Sequence, residues 1–499
     1  MPHRAASVRW CGALLLVVAV PALAQSKLAP ASGTSATGQT TAQASPKTSP
    51  PPAPKAAVRP DFKNLRFEES YTTAQRSAHW DDAIKAIPLL GDRPVTLTIG
   101  GQLRWREESF RKFNLGAQDD DNAQSRLLLH ADLQAGRRKG LYSRVFVEGR
   151  DAQSYGRTLP GGARPNDADR HDVQNLFAEV GHGASFVRVG RQETALGRER
   201  LIGVPDWSNT RRGAQGARAQ LVRGAFALDL IDERPIAVRQ TGANLADSTN
   251  RFRVVALGSA SGAKAWARGL PATWQAYWID QTVQSPTSFT RRLTSGARTQ
   301  WQRGTPQSRR TYSLELEGAV QHGHAGARTL DGWFWIAESQ VQFRRVHGAP
   351  SLALGVEEAS GERSATTGTQ EAFNVLYPAA HGHGGYADVI GRQNMREWHA
   401  ISTWDARKSV ALRGAWYRFN RLQLDDGAWT KSNTVFRAAN GSTERHVADE
   451  FDLTGTWKAS RHWKVIAGGA VVLPGPFLRH TPGSARTERW GFVGTAFTF

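Results

Sequence analysis

The chain is almost without sulfur: Cys11 is its only cysteine and it has 2 methionines in 499 residues. Cys11 lies inside an N-terminal stretch that reads as an export signal. Arg4 and Arg9 supply the positive start, residues 12–20 an apolar run, and Ala22-Leu23-Ala24 a small-residue cleavage site. Removal of residues 1–24 leaves no thiol, which excludes disulfides and cysteine-ligated metal. Cys11 precedes the apolar run rather than following it, against lipid attachment. Acids are absent from the first sixty residues. Beyond the signal no apolar run approaches the roughly 20 residues of a helical membrane span. A fixed-period repeat is also missing, against a solenoid or β-helix.

Residues 25–60 have almost nothing to bury and include Ser49-Pro50-Pro51-Pro52-Ala53-Pro54. Such a segment cannot offset its ordering entropy and is expected to be a disordered, semi-extended periplasmic tether. Its lysines could touch peptidoglycan or a periplasmic export partner, although a plain spacer is the simpler reading. Residues 61–94 form a lead-in, and 95–499 are expected to be one barrel domain.

Aromatics are abundant against a polar average: 17 Trp and 20 Phe in a chain that is 40% hydrophobic. Half of each strand facing a wet lumen, with aromatic girdles at the interfaces, gives that composition. The clearest strand begins at Val95. Its odd positions are Val95, Leu97, Ile99, Gly101, Leu103 and Trp105, and its even ones are Thr96, Thr98, Gly100, Gln102, Arg104 and Arg106. Side chains alternate across a strand, so one face is apolar and the other polar. The period returns at 126–135, 312–321 and 450–457. The chain ends on Val493, Thr495, Phe497 and Phe499 on one face, the pattern of a closing strand whose terminal Phe is generally read by the outer-membrane assembly machinery. At about 22 to 25 residues per strand and turn, residues 95–499 give 16 to 18 antiparallel strands, with 18 favoured. The fold expected is all-β, a closed transmembrane barrel with an aqueous lumen. The location that follows is the outer membrane of a Gram-negative cell, in contact with its lipid and lipopolysaccharide.

The formal charge is +20, and six cations without an acid precede residue 61, leaving +14 on the rest. Arginine outnumbers lysine 52 to 12. A planar guanidinium pairs with carboxylate through two parallel bonds, so an Arg-rich lumen suits uronic acids. Codon bias and loop charge are the plain alternative. Alternation turns Arg104, Arg106, Arg126, Arg144, Arg188, Arg218, Arg251, Arg253 and Arg413 toward the lumen. Asp132, Glu148, Glu179, Glu315, Glu317, Glu338, Glu450 and Asp452 share that side. Bases dominate the first half of the barrel and acids the second. Such mixing keeps a polyanion from binding too tightly to leave. Within residues 188–212, Arg188, Arg191, Arg198, Arg200, Arg211 and Arg212 flank Gly197, Gly203 and Pro205, which suggests a basic segment folded into the pore. The substrate-binding residues expected are Arg104, Arg106, Arg126, Arg144, Arg188, Arg191, Arg200 and Arg218.

Catalysis and metal binding have weak support. His322-Gly323-His324 and His381-Gly382-His383 could each bind zinc from one strand face, but no carboxylate or thiol sits beside them at ligand spacing. No catalytic residue, metal ligand or cofactor motif is assigned, and no nucleotide loop is present. The basic charge of an exported barrel is not a nucleic-acid signal.

Several ordered blocks resemble the alginate export outer-membrane family. They include Phe62-Lys63-Asn64-Leu65-Arg66-Phe67, Gly100-Gly101-Gln102-Leu103-Arg104, Val189-Gly190-Arg191-Gln192-Glu193 and Gly197-Arg198-Glu199-Arg200-Leu201. Trp207-Ser208-Asn209-Thr210-Arg211-Arg212, Phe373-Asn374-Val375-Leu376-Tyr377-Pro378 and Gly385-Tyr386-Ala387-Asp388 continue the order. The resemblance implies a monomeric barrel with an Arg-lined constriction that passes an acidic polysaccharide or oligosaccharide. A general porin for anions such as carboxylates is the alternative, and a barrel hydrolase a third.

Overall fold

The computed structural model describes residues 59–76, 79–91, 93–260, 272–363 and 368–499. The signal and nearly all of the tether expected from the sequence lie outside them. The barrel starts where alternation starts. Its first strands are β1 (Val95–Arg111), β2 (Asp120–Gly136), β3 (Leu141–Tyr155), β4 (Asp169–His182), β5 (Ser185–Gln192) and β6 (Ala214–Arg223). The middle holds β7 (Phe226–Ala237), β8 (Asn250–Ser259), β9 (Ala272–Ser285), β10 (Ser288–Arg303), β11 (Arg310–Ala325) and β12 (Arg328–Phe343). The last six are β13 (Ser351–Ala359), β14 (Met395–Arg407), β15 (Val410–Arg421), β16 (His446–Lys458), β17 (Trp463–Pro474) and β18 (Glu488–Thr498).

Each strand pairs antiparallel with its sequence neighbours, and β18 returns to β1 through Gln102 opposite Thr498 to Arg111 opposite Arg489. The result is a closed 18-stranded barrel. Closure leaves no sheet edge, which a bilayer requires because it offers backbone groups no other partner. Leu103, Leu129, Val145, Val189, Leu230, Val255, Leu316, Trp335, Leu354 and Leu453 are exposed on the outer face. Their strand neighbours Arg106, Arg126, Glu148, Glu179, Glu317 and Glu450 are buried inside. A greasy exterior around a charged interior reverses the soluble pattern and fits a lipid surround.

Both chain ends of the barrel lie at one end, here the terminal end. Two of its tightest turns are Gly183-Ala184 and Gly224-Ala225, with Gly183 at φ 61° and Gly224 at φ 59°, left-handed values that glycine adopts without strain. The far end carries the long connections 193–213, 360–394 and 422–445. Two of these fold inward on apolar anchors. Leu196, Leu201, Ile202, Phe373, Val375 and Leu376 pack with inward Ile231, Phe252, Val254, Ile279, Phe334 and Ile336. Ala387, Val389 and Ile390 join Leu115, Phe477 and Leu478 against inward Phe419, Val472 and Trp490.

Candidate functional site

One wall of the lumen holds the inner connection 193–213 by its carbonyls. Arg104, on β1, donates to the carbonyl of Asp206 at 2.6 Å and to Asn209 Oδ1 at 3.0 Å. Arg106 donates to the Trp207 carbonyl at 2.6 Å and to Gln124 Oε1 at 2.6 Å. Arg126, with 0% of its residue surface exposed, meets the Asp206 carboxylate at 2.7 Å. Arg211 reaches the same Asp206 oxygen at 2.7 Å and Glu193 at 2.5 Å. On the opposite wall Arg200 bridges Glu315 at 2.5 Å and Glu317 at 2.7 Å. The connection therefore crosses the lumen from β1 and β2 to β11, and the wall it leaves is mixed in charge, since Glu108, Glu148 and Glu179 are buried there beside the arginines.

Asp206 lies deep within the barrel, which alone raises a carboxyl, while 45% of its side chain stays open to the lumen. Arg126, Arg211 and Arg104 outweigh that burial and hold it well below the usual carboxylate range.

The two inward connections meet in a stacked column. The Arg106 guanidinium carbon lies 3.9 Å over the Trp207 ring. Trp207 stacks on His381 at 4.2 Å and 13°, and His381 stacks on Tyr386 at 4.7 Å and 13°. Arg413, inward on β15, caps Tyr386 at 4.5 Å. The two arginines at the ends of the column attract the Trp207 and Tyr386 rings through the ring quadrupole, each such contact contributing about 0.5 to 2 kcal/mol. Asp388 accepts from His381 Nδ1 at 2.9 Å and from Lys431 Nζ at 2.8 Å. Burial pushes the Asp388 carboxyl up, but Lys431 and His381 hold it below its ordinary value of 3.8.

Beside this column lies a vestibule of about 590 Å3 at the far end. Its lining includes the cations Arg106, Arg164, Arg211, Arg212 and Lys431 and the carboxylates Glu108, Asp167 and Asp388. Arg106, Arg164 and Lys431 each pair with one of these acids and Arg211 with Glu193 and Asp206, so the cation of this lining that meets no carboxylate is Arg212. Arg212 donates to the carbonyls of Tyr377 at 2.7 Å and Pro378 at 3.0 Å, contacts that leave its charge uncompensated. Burial lowers it to about 10, so it stays charged at neutral pH.

From the terminal end the lead-in reaches into the lumen. Phe67 is 2% exposed and packs edge-on against inward Phe146 at 5.8 Å and Phe177 at 5.3 Å. Arg144 donates to the Phe67 carbonyl at 2.7 Å, and Arg188 lies 4.5 Å over its ring. Both guanidiniums also engage Glu179. Asn64 meets Arg211 through Oδ1 at 2.6 Å and through its carbonyl at 3.0 Å, so the lead-in touches the connection that floors the vestibule. Lys85 donates to the Ile99 carbonyl at 2.6 Å. A Cβ at Gly100 would lie 2.6 Å from His130 and 2.7 Å from Lys85 Nζ, so only glycine admits both.

Of the eight arginines singled out from the sequence, Arg104, Arg106, Arg126 and Arg200 secure the inner connection, and Arg144 and Arg188 secure the lead-in. Arg218 faces inward and pairs with Asp229 at 2.9 Å. Arg191 shares the outward register of Val187 and Val189, and its guanidinium ends on Asp172 and the carbonyls of Val173 and Asn244. Arg251 and Arg253, also expected inside, face outward. The reason is local: Phe252, Val254 and Ala256 are buried in the inner apolar cluster, so polarity cannot tell the two faces of β8 apart. Sequence reasoning missed Trp207, Tyr386 and Lys431, which lie on irregular segments without period, and it missed the Asp388 partner of His381. Among the described residues no group of three or more His, Cys, Asp or Glu is placed to hold a metal ion.

A comparison with protein families matches residues 95–492 to the alginate export family. The chain belongs to that family. No curated protein matches it in sequence. Among solved structures, Pseudomonas aeruginosa OpdQ superposes with a TM-score of 0.55 at 10% identity, over 81% of this chain and 97% of that one. OpdK from the same organism, crystallised with vanillate, gives 0.54 at 11%, covering 80% and 98%. OccD3 (OpdP) gives 0.54 at 9%, covering 80% and 91%. These likenesses establish the fold. Family and fold together support an outer-membrane channel of porin type.

Proposed function

We propose that this alginate export family member passes acidic polysaccharide or oligosaccharide, of the alginate-like uronate class, across the outer membrane of a Gram-negative cell. The observation that carries the reading is the vestibule: about 590 Å3 lined by Arg106, Arg164, Arg211, Arg212 and Lys431, with Arg212 held on backbone carbonyls without a carboxylate and Arg106 fixed by a carbonyl and a ring. The arginines beneath it act mainly by fixing the inner connection. The selective surface is therefore the far-end rim of that connection together with Lys431, rather than a continuous arginine lining. A uronate chain entering there meets its repeating carboxylates with fixed positive groups. The acids interspersed among them keep residence short.

A general carboxylate porin is the second reading, favoured by the fold shared with OpdK, whose crystal contains vanillate. Ion current through the purified protein in a planar bilayer separates the two. Oligouronate is expected to block the current and a neutral oligosaccharide of equal length to leave it unchanged. Block by monomeric carboxylates as strong as by the oligomer would favour the porin.

A further inference from the structure

On the outer wall of β7 to β10, cross-strand pairing arranges outward side chains in rows. The uppermost row toward the far end holds Arg234 on β7, Arg251 on β8 and, across β9, Thr282 opposite Arg291 on β10. The next row runs Ala217, Asp232, Arg253, Asp280 and Leu293. Directly below come Ala219, Leu230, Val255 and Trp278, an apolar row. The charged rows thus sit at the border where the apolar band ends.

Within them four guanidiniums meet two carboxylates. Arg251 and Arg253 share Asp232, while Arg253 and Arg291 share Asp280 at 3.6 Å and 3.1 Å. Arg234 bonds the Ser248 carbonyl. Arg251, Arg253 and Arg291 keep 36%, 43% and 47% of their side-chain surface open. Two other outward arginines near the far end, Arg396 with Glu358 and Arg418 with Asp449, are balanced one to one. A shallow furrow of about 410 Å3 lies at the height of the charged rows, between Val189 and Ala217 on one side and Asp232, Arg234 and Arg251 on the other.

We infer that this face binds a phosphorylated, acylated glycolipid of the outer leaflet, the lipopolysaccharide class. Guanidinium forks pair with phosphate oxygens through two bonds, and an excess of two positive charges matches a pair of phosphate groups. The phosphates sit on Arg251, Arg253 and Arg291. The acyl chains run down from there over the apolar row of Ala219, Leu230, Val255 and Trp278. Both demands are met at one height on the barrel only because the arginine rows lie directly above apolar ones. The inference is independent of what the lumen carries.

The test is native mass spectrometry of the full protein released from detergent with bisphosphorylated hexa-acyl lipid A, its dephosphorylated form or phosphatidylglycerol. Wild type is expected to retain the bisphosphorylated lipid at least tenfold better than the other two. R251Q/R253Q/R291Q is expected to fall to the dephosphorylated level, and R396Q/R418Q to match wild type. Equal retention of phosphorylated and dephosphorylated lipid by wild type overturns the inference, as does full retention by the triple variant. Complete displacement of the lipid by millimolar inorganic phosphate also overturns it, since that would mark a free anion site. Should the triple variant fail to fold, the wild-type comparison decides alone.

Discussion

At the residue scale the lumen is governed by how each buried cation is matched. Phe67 fills the space between Phe146 and Phe177 and is the largest apolar side chain that the lead-in places inside the barrel. Truncating a buried Phe typically costs about 3 to 5 kcal/mol. Phe67→Ala is therefore expected to release the lead-in, seen as raised single-channel conductance and faster proteolysis near residue 67. Unchanged conductance with unchanged protection would show that Phe67 does not hold it. Lys85 adds a pH dependence. Burial, then Arg66, lowers its ammonium from 10.5 to about 8. Below pH 8 it is protonated both docked and free, and the cost of burying the charge is constant. Between pH 8 and 10.5 only the free form holds the proton, so docking tightens as pH rises. Amide protection of residues 80–86, corrected for intrinsic exchange, should increase over that window. Lys85→Met should flatten the increase.

At the scale of elements, the column from Arg106 through Trp207, His381 and Tyr386 to Arg413 ties two inward connections together, and Asp388 clamps it. Because Asp388 is held below 3.8, its contribution is complete above that pH and is lost as pH falls below it. Asp388→Asn should reproduce the acid effect at neutral pH, visible as larger current noise from loop motion. Current noise equal to wild type at pH 7 would count against the clamp. How much of this could be read in advance follows from periodicity. Strands such as Val95–Arg111 have one lipid face and one wet face, so a two-residue alternation places Arg104 and Arg106 correctly. The same rule fails on Asn250–Ser259, where the inner face is itself apolar beneath Phe373 and Leu376. Irregular segments carry no period at all. The arginines around Trp207 mark the inner connection as unusual, yet nothing in the order of residues tells that His381 meets Trp207. That contact depends on two connections more than 150 residues apart meeting inside one barrel. The partners of the arginines were equally hidden, since a sequence displays charge but not the carbonyls that occupy it.

For the whole molecule, the arrangement of charge across the lumen is what the proposed selectivity rests on. Buried charges of both signs line both walls: Arg106, Arg126, Arg144 and Arg188 stand with Glu108, Glu148 and Glu179, and Glu315, Glu317, Glu397 and Glu450 with Arg292 and Arg421, the inner connection tying the walls through Arg200. Breaking that bridge with Arg200→Ala leaves Glu315 with the more distant Arg198 and Arg298 and Glu317 with the Tyr277 hydroxyl, and breaking a buried pair typically costs about 3 to 5 kcal/mol. Heat-modifiability of the barrel should then be lost at lower temperature than in wild type, and an unchanged midpoint would contradict the bridging role. The vestibule itself should respond to charge rather than to fold. Each carboxylate meeting one partly wet cation contributes only about 1 kcal/mol, so single substitutions at Arg164, Arg212 or Lys431 should act weakly. The most direct measurement is the reversal potential under a salt gradient, wild type against R164Q/R212Q/K431Q. Wild type is expected to prefer anions, more strongly at low salt where screening is weak, and the triple variant to lose that preference. A cation-selective wild type, or a variant with the same reversal potential, would contradict the acidic-saccharide account.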